Sequence, residues 1–130
     1  MGSDMVVKQL KDCPAFIAGD GSLLRELLHP EKVAALQIRY SLAHAKVKPG
    51  KKTKPHKLGT SEVYYIIAGQ GLMHIDEECF EFEPHCAIYI PPRSTQYVEN
   101  TGHCDLEFLC IVDPAWRQEH EEVLDRLWAE

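Results

Sequence analysis

Short segments of strand-forming residues, each closed by glycine or proline, run through most of this 130-residue chain. In order they read AALQIRYSLAHAKV, SEVYYIIA, LMHID, CFEFE, AIYI, TQYVEN and DLEFLCIV. Turn signals recur roughly every eight to twelve residues, and no helical pattern separates the strands. This spacing predicts an all-β sandwich or barrel over about residues 34–112 and excludes a parallel βαβ sheet.

The length suits one domain with one core, residues 1–130. Ahead of the strands, the stretch DGSLLRELLHPEK predicts a short helical arm over residues 20–30. Asp20 or Ser22 can cap this helix, and its leucines form an apolar stripe that covers one end of the barrel.

The chain after the last strand predicts a second helix, over residues 113–129. Asp113 can serve as its N-cap and Pro114 as its first helical residue. Trp116 and Leu127 belong to an apolar stripe whose spacing predicts packing against the barrel or against a second subunit.

The formal net charge of -6 argues against nucleic acid as the main partner. Six lysines nevertheless fall between residues 46 and 57, either as a solvated loop or as a positive rim that steers an anionic small molecule. No apolar run approaches the roughly 20 residues of a membrane span, and the N-terminus lacks a signal-peptide pattern. Five cysteines without a CxxC pair predict reduced thiols and the cytoplasm.

Two polar residues, His56 and Glu62, lie just before and within the strand SEVYYIIA. Side chains alternate along a strand, so Glu62 and Tyr64 share a face. A carboxylate among apolar neighbours is costly unless it is paired, protonated or bound to a metal. Gly59 permits a tight turn that lets His56 and Glu62 converge, and Gln96 would face them if TQYVEN lies opposite.

These residues resemble the two motifs of the cupin superfamily, in its small single-domain form. The first motif, Gly-x5-His-x-His-x3–4-Glu-x6-Gly, is similar to the positions Gly50, His56, Leu58, Glu62 and Gly69. The second motif is similar to HCAIYIPPRSTQYVEN, in which Pro91 and Asn100 match. The resemblance covers about residues 34–112 and implies an antiparallel jelly-roll barrel, usually a homodimer and often with one metal in the lumen.

The resemblance also implies a metal site, at positions that hold His56, Leu58, Glu62 and Gln96 in this chain. Leu58 cannot coordinate a metal, and the Gln96 amide is a weaker ligand than histidine. His56, Glu62 and Gln96 would hold Fe, Mn, Zn or Ni with waters completing the shell, and the alternative is a barrel without metal.

Further residues are candidates for the pocket or for its rim. The substrate pocket is predicted to include Leu58, Tyr64, Arg93 and Val98. Arg93 replaces a family glycine and is either a rim residue that grips an anion or a surface arginine. His74 either enters the lumen or, as we favour, points outward, and His85 is expected in a turn.

Two functions follow from the resemblance. The first is a metal-dependent enzyme acting on a small anionic metabolite such as a sugar phosphate or a carboxylate, with Glu62 and His56 as catalytic proton carriers. Family precedents of this kind include sugar-phosphate isomerisation of the mannose-6-phosphate isomerase type. The alternative is a non-catalytic ligand-binding or sensing barrel that has lost its metal. Both imply a small-molecule ligand and a homodimer, without nucleic acid or membrane.

Overall fold

Two antiparallel β-sheets face each other across an apolar core in the computed structural model, which describes residues 5–124. The strands are β1 (Ala15–Ile17), β2 (Leu23–Leu28), β3 (Ser41–Val47), β4 (His56–Leu58), β5 (Ser61–Ala68), β6 (Gly71–Ile75), β7 (Glu78–Phe82), β8 (Ala87–Ile90), β9 (Gln96–Asn100), β10 (Leu106–Asp113) and β11 (Glu121–Val123). Two single-turn 3-10 helices, Leu10–Asp12 and Gln118–His120, are the helical elements of the described chain. Neither is long or apolar enough to cross a membrane.

Several strands that are neighbours in a sheet are far apart in the sequence. One sheet has the order β1-β2-β3-β10-β5-β8 and the other the order β11-β4-β9-β6-β7. Strands distant in sequence are therefore paired, β3 with β10 and β4 with β9, as in a jelly roll. The predicted antiparallel β-barrel is confirmed.

The core follows from the alternation of side chains along the strands. In β10, Leu106, Phe108, Cys110 and Val112 are buried, while the residues between them are partly exposed. Tyr64 of β5 packs on Phe108 with ring centroids 4.5 Å apart. The inward faces of both sheets thus form one continuous core.

The predicted helix over residues 20–30 is wrong, because the segment forms strand β2 between β1 and β3. Hydrogen bonding to two neighbouring strands outweighs the helical spacing of the leucines. Asp20, the expected cap, accepts hydrogen bonds from the backbone and hydroxyl of Ser22 in the turn before β2.

The predicted helix over residues 113–129 is also wrong within the described chain. Asp113 is the last residue of β10 and is joined to Pro114 by a cis peptide bond. The Trp116 backbone donates to Ser41 Oγ, so the segment bonds to its neighbours instead of to itself. The chain then forms β11, and the part of the prediction from residue 125 onward, including Leu127, lies outside the described residues.

Candidate functional site

A cavity of about 170 Å³ opens between the two sheets, next to the start of β5. His56 and Leu58 of β4 and Glu62 and Tyr64 of β5 form part of its wall. All four are buried, because β4 and β5 turn these faces toward the interior of the barrel. The sequence pattern that placed Glu62 and Tyr64 on one face therefore leads to this cavity.

The imidazole of His56 is held in one tautomer. Its Nδ1 lies 2.8 Å from the carbonyl oxygen of Lys54, and a carbonyl only accepts, so Nδ1 carries the proton. In the neutral ring Nε2 then keeps its lone pair, and it lies 3.9 Å from Asp20 Oδ2. His56 thus offers the cavity an acceptor or a ligand atom.

Glu62 is a buried carboxyl group with incomplete hydrogen bonding. Its pKa is raised from 4.5 to about 8, chiefly by burial. The hydrogen bond from Gln96 lowers the pKa, and the charges of Asp20 and Glu121 raise it. Its Oε1 atom has no hydrogen-bond partner among the described residues. At neutral pH the group is therefore mostly protonated, with one oxygen available to a ligand.

Gln96 connects the two sheets at this point. It lies directly opposite His56 in the β4–β9 pair, and its side chain hydrogen-bonds Glu62. Its Oε1 accepts the hydroxyl of Tyr64 at 3.1 Å. The structure thus brings His56, Glu62 and Gln96 together, with the amide oxygen of Gln96 turned toward Tyr64.

Comparison with known proteins identifies the family to which this barrel belongs. A family model described as "Cupin domain" matches residues 43–112, more than half of the chain. The chain is a cupin. An uncharacterised protein of Methanocaldococcus jannaschii is 44% identical over 111 residues, covering 85% of this chain and 87% of its own.

Two further relatives carry descriptions that mention oxalate. An oxalate-binding protein of Thermotoga maritima is 30% identical over 117 residues, covering 85% of this cupin and 95% of the relative. A crystal structure of a predicted oxalate decarboxylase from the same organism superposes with a TM-score of 0.72 and 24% identity, covering 84% of this chain and 99% of its own. The superposition with the crystal structure shows that the two proteins share a fold.

The residues at the cupin metal positions do not together fit a metal in this arrangement. Leu58 lines the cavity without any donor atom, and Gln96 Oε1 is already bound by the hydroxyl of Tyr64. The amide oxygen of Gln96 keeps a second lone pair but is turned toward Tyr64, and the amide nitrogen that bonds Glu62 cannot coordinate a metal. Within residues 5–124 no group of three or more His, Cys, Asp or Glu side chains is placed to hold a metal ion.

Besides Glu26, which pairs with Lys32, two acidic residues of the cavity wall were not predicted from the sequence. Asp20 reaches it from the turn before β2, and Glu121 reaches it from β11, which pairs with β4. The pKa of Glu121 is raised by burial, while the charge of nearby His56 lowers it. Both residues lie in segments whose local pattern is helical, so only the strand pairing brings them to the cavity.

Two predicted pocket residues lie elsewhere. Val98 is fully buried in the core but does not line the cavity. Arg93 is exposed, has a positive φ of 68°, and touches the site only through its backbone N–H, which donates to the Leu58 carbonyl. The structure therefore favours the surface interpretation of Arg93. Contrary to the prediction, neither Arg93 nor Val98 lines the cavity.

His74 points away from the lumen. It stacks on Tyr97 with ring centroids 4.0 Å apart, and its Nε2 lies 2.7 Å from Glu99 on the outer face of the sheet. The six lysines of residues 46–57 likewise do not line the cavity. Neither group contributes to its wall in the described chain.

Proposed function

We propose that this cupin binds a small molecule in the cavity through Glu62 and His56, without a resident metal. The observation that carries the proposal is the unpartnered Oε1 of Glu62, buried at the wall of an open cavity. Buried polar atoms almost always have a partner, so an exception at a cavity wall marks a place where a water or a ligand can complete the hydrogen bonding. Membership of the cupin family supports the same function.

The arrangement can bind a ligand at two polar points. The protonated Glu62 can donate and accept, and Nε2 of His56 can accept. Leu58, in place of a coordinating histidine, adds an apolar wall. These features favour the non-catalytic alternative over a metalloenzyme.

A cavity-filling substitution tests the proposal. A thermal-shift screen of small metabolites should find compounds that stabilise the wild type, by about 2.7 kcal/mol at 100 times the dissociation constant. Leu58→Phe, which fills the cavity, should abolish that shift. Leu72→Phe in β6, outside the cavity wall, is the matched control and should keep it. A shift that persists in Leu58→Phe contradicts the proposed site.

A second candidate is a metal-dependent enzyme acting on a small anion, such as a carboxylate or a sugar phosphate. The free lone pair of His56 and the unpartnered oxygen of Glu62 favour it, as does the relative named for oxalate binding. In such an enzyme Fe, Mn, Zn or Ni would be held by His56, Glu62 and Gln96, and His56 and Glu62 would also be the candidate proton carriers.

Metal content separates the two candidates. Protein purified without metal-affinity resin would contain stoichiometric metal if the enzyme candidate is correct. His56→Ala and Glu62→Gln would lose that metal, while the matched surface variants His103→Ala and Glu81→Gln would keep it. We expect no stoichiometric metal in the wild type. Its presence would favour the metal-dependent enzyme over the metal-free binding protein.

We further propose a homodimer in the cytoplasm. Exposed aromatic and aliphatic side chains on the outer face of the six-stranded sheet, namely Tyr65, Ile67 and Tyr89, support a contact with a second copy. All five cysteines are free thiols, which suits a reducing compartment.

A further inference from the structure

Four carboxyl groups line the cavity, and a cationic side chain balances one of them. The balanced group is Glu26, which pairs with a lysine, and the other three belong to Asp20, Glu62 and Glu121. Among the described lining residues Lys32 is the sole lysine or arginine, and its Nζ pairs with Glu26 at 2.7 Å. The remaining basic group is the imidazole of His56, 3.9 Å from Asp20, so the carboxylates of Asp20 and Glu121 give the cavity a preference for positive charge.

The three carboxyl groups share one cavity, and hydrogen bonds fix two of them. Asp20 Oδ1 accepts two hydrogen bonds from Ser22, at 3.0 and 2.7 Å. Glu121 Oε1 accepts the indole N–H of Trp116 at 3.2 Å. Glu62, 6% exposed, lines the same cavity and has one oxygen without a partner among the described residues. The cluster is thus preorganised, and one of its members lacks a donor.

The rest of the wall is apolar and suits an organic group. Leu58, Phe108 and Trp116 lie around the acidic residues. A cavity of about 150 Å³ is enough for benzene, so the present 170 Å³ admits a compound of similar size. An apolar body with one cationic head would match both parts of the wall.

We propose that the cavity selects a small primary amine, whose ammonium group lies among Asp20, Glu62 and Glu121. The proposal rests on the function proposed above and specifies its ligand class. An ammonium group has three donors, which suit the Asp20 and Glu121 carboxylates and the unpartnered oxygen of Glu62, an oxygen that can accept even when that carboxyl group is protonated. A metal ion needs shorter contacts from convergent ligands, and this set lacks that convergence.

Matched probes that differ in charge test the selection. Butylamine, cyclopentylamine and benzylamine would be titrated against 15N-labelled full-length protein in EDTA, beside the corresponding alcohols and carboxylates. We expect at least one amine to bind at least tenfold more tightly than its alcohol, and the carboxylates to bind more weakly still. Amide shifts should cluster at Asp20, Glu62 and Glu121.

Isosteric variants test the residues. Asp20→Asn and Glu121→Gln should each weaken amine binding about tenfold and leave alcohol binding nearly unchanged. Glu81→Gln, an exposed acid on β7, is the matched control and should bind the amine like the wild type. Retention of the HSQC spectrum shows that each variant is folded.

The outcomes separate this inference from the function on which it rests. Equal binding of amine and alcohol, or preference for a carboxylate, overturns the amine proposal but leaves small-molecule binding standing. Binding of Mn²⁺ or Zn²⁺ at the same amides, with exclusion of the amine, also overturns it. If no probe of any charge shifts the cavity amides up to 20 mM, both proposals fail.

Discussion

Glu62 is the residue whose surroundings conflict most with its chemistry. An ionised carboxylate prefers water, yet this side chain is enclosed by the barrel, and burial raises its pKa to about 8. The native state therefore retains a proton that the unfolded chain releases near pH 4.5. Because the native and unfolded states bind different numbers of protons at Glu62, the free energy of unfolding depends on pH.

The stability contribution of Glu62 should be present below about pH 4.5 and lost as pH rises to about 8. In that window the native state binds one proton more than the unfolded state, so the free energy of unfolding falls by up to about 1.4 kcal/mol per pH unit. Glu62→Gln removes this dependence. Its stability relative to the wild type should rise between pH 5 and 8 and level off above pH 8, as measured by urea unfolding in EDTA.

Glu81→Gln is the control for this prediction, because Glu81 is exposed on β7. Its stability should follow the wild type at every pH. A constant difference between Glu62→Gln and the wild type from pH 5 to 8 would show that Glu62 ionises normally in the native state.

Arg93 occupies a backbone conformation that favours glycine. Its φ is 68°, in the left-handed region, where a side chain costs about 1–2 kcal/mol. We expect Arg93→Gly to be more stable than Arg93→Ala by about 0.5–1 kcal/mol, after the larger entropy of glycine in the unfolded chain is subtracted. Chemical denaturation of the two variants measures the difference.

Position 48 supplies the reverse control for Arg93. Lys48 is exposed and is not among the residues with positive φ, so Lys48→Ala should be more stable than Lys48→Gly. The same order at both positions would mean that backbone strain at Arg93 does not contribute to stability.

At the scale of the element, the three-residue strand β11 positions one acidic residue of the cavity wall. It extends the five-stranded sheet by pairing with β4, so that Glu121 lies opposite Leu58 and Val123 opposite His56. Backbone bonds on both sides, from Gly59 to His120 and from Leu124 to Pro55, continue this ladder. The pairing carries Glu121 to the cavity.

Glu122→Pro should disturb β11 without altering any cavity side chain. Glu122 is exposed and lies opposite Lys57 in the ladder, where proline cannot donate. We expect a loss of at least about 1 kcal/mol in urea unfolding and a loss of amine binding as Glu121 moves away. Glu122→Ala keeps the backbone donor and should retain binding. Unchanged binding in the proline variant would show that β11 does not position Glu121.

At the scale of the whole molecule, the outer face of the six-stranded sheet carries several exposed apolar side chains. Tyr89 of edge strand β8 is 60% exposed, and Tyr65 and Ile67 of β5 lie on the same side of the sheet. Apolar side chains that cluster on one exposed face are typical of protein–protein contacts. This surface is the basis of the proposed dimer.

Light scattering should give twice the chain mass of 14.8 kDa for the wild type. The double variant Tyr65→Glu, Tyr89→Glu places two charges in the proposed contact and should be monomeric and folded. Phe80→Glu, at an exposed position of the other sheet, is the control and should remain dimeric. A monomeric wild type at 100 μM would contradict the dimer.

The sequence by itself determines the strands between Ser41 and Asp113 and the region of the site, although the first of them was predicted to begin at residue 34. Gly69, Pro84 and Pro91 mark turns locally, and alternation fixes which face of each strand is buried, as in Glu62 and Tyr64 of β5. These signals act within a few residues, so they can be recognised without knowledge of the rest of the chain. The close approach of His56 and Gln96 follows once their two strands are paired.

Only the tertiary structure decided the conformation of the two flanking segments. The leucines of β2 and the acidic stretch that includes β11 have helical spacing, but each segment lies against a sheet edge whose free backbone groups it completes. Strand addition at these edges replaces the helices and brings Asp20 and Glu121 to the same cavity as Glu62. The charge of the site therefore depends on hydrogen bonds between distant segments, which no local pattern encodes.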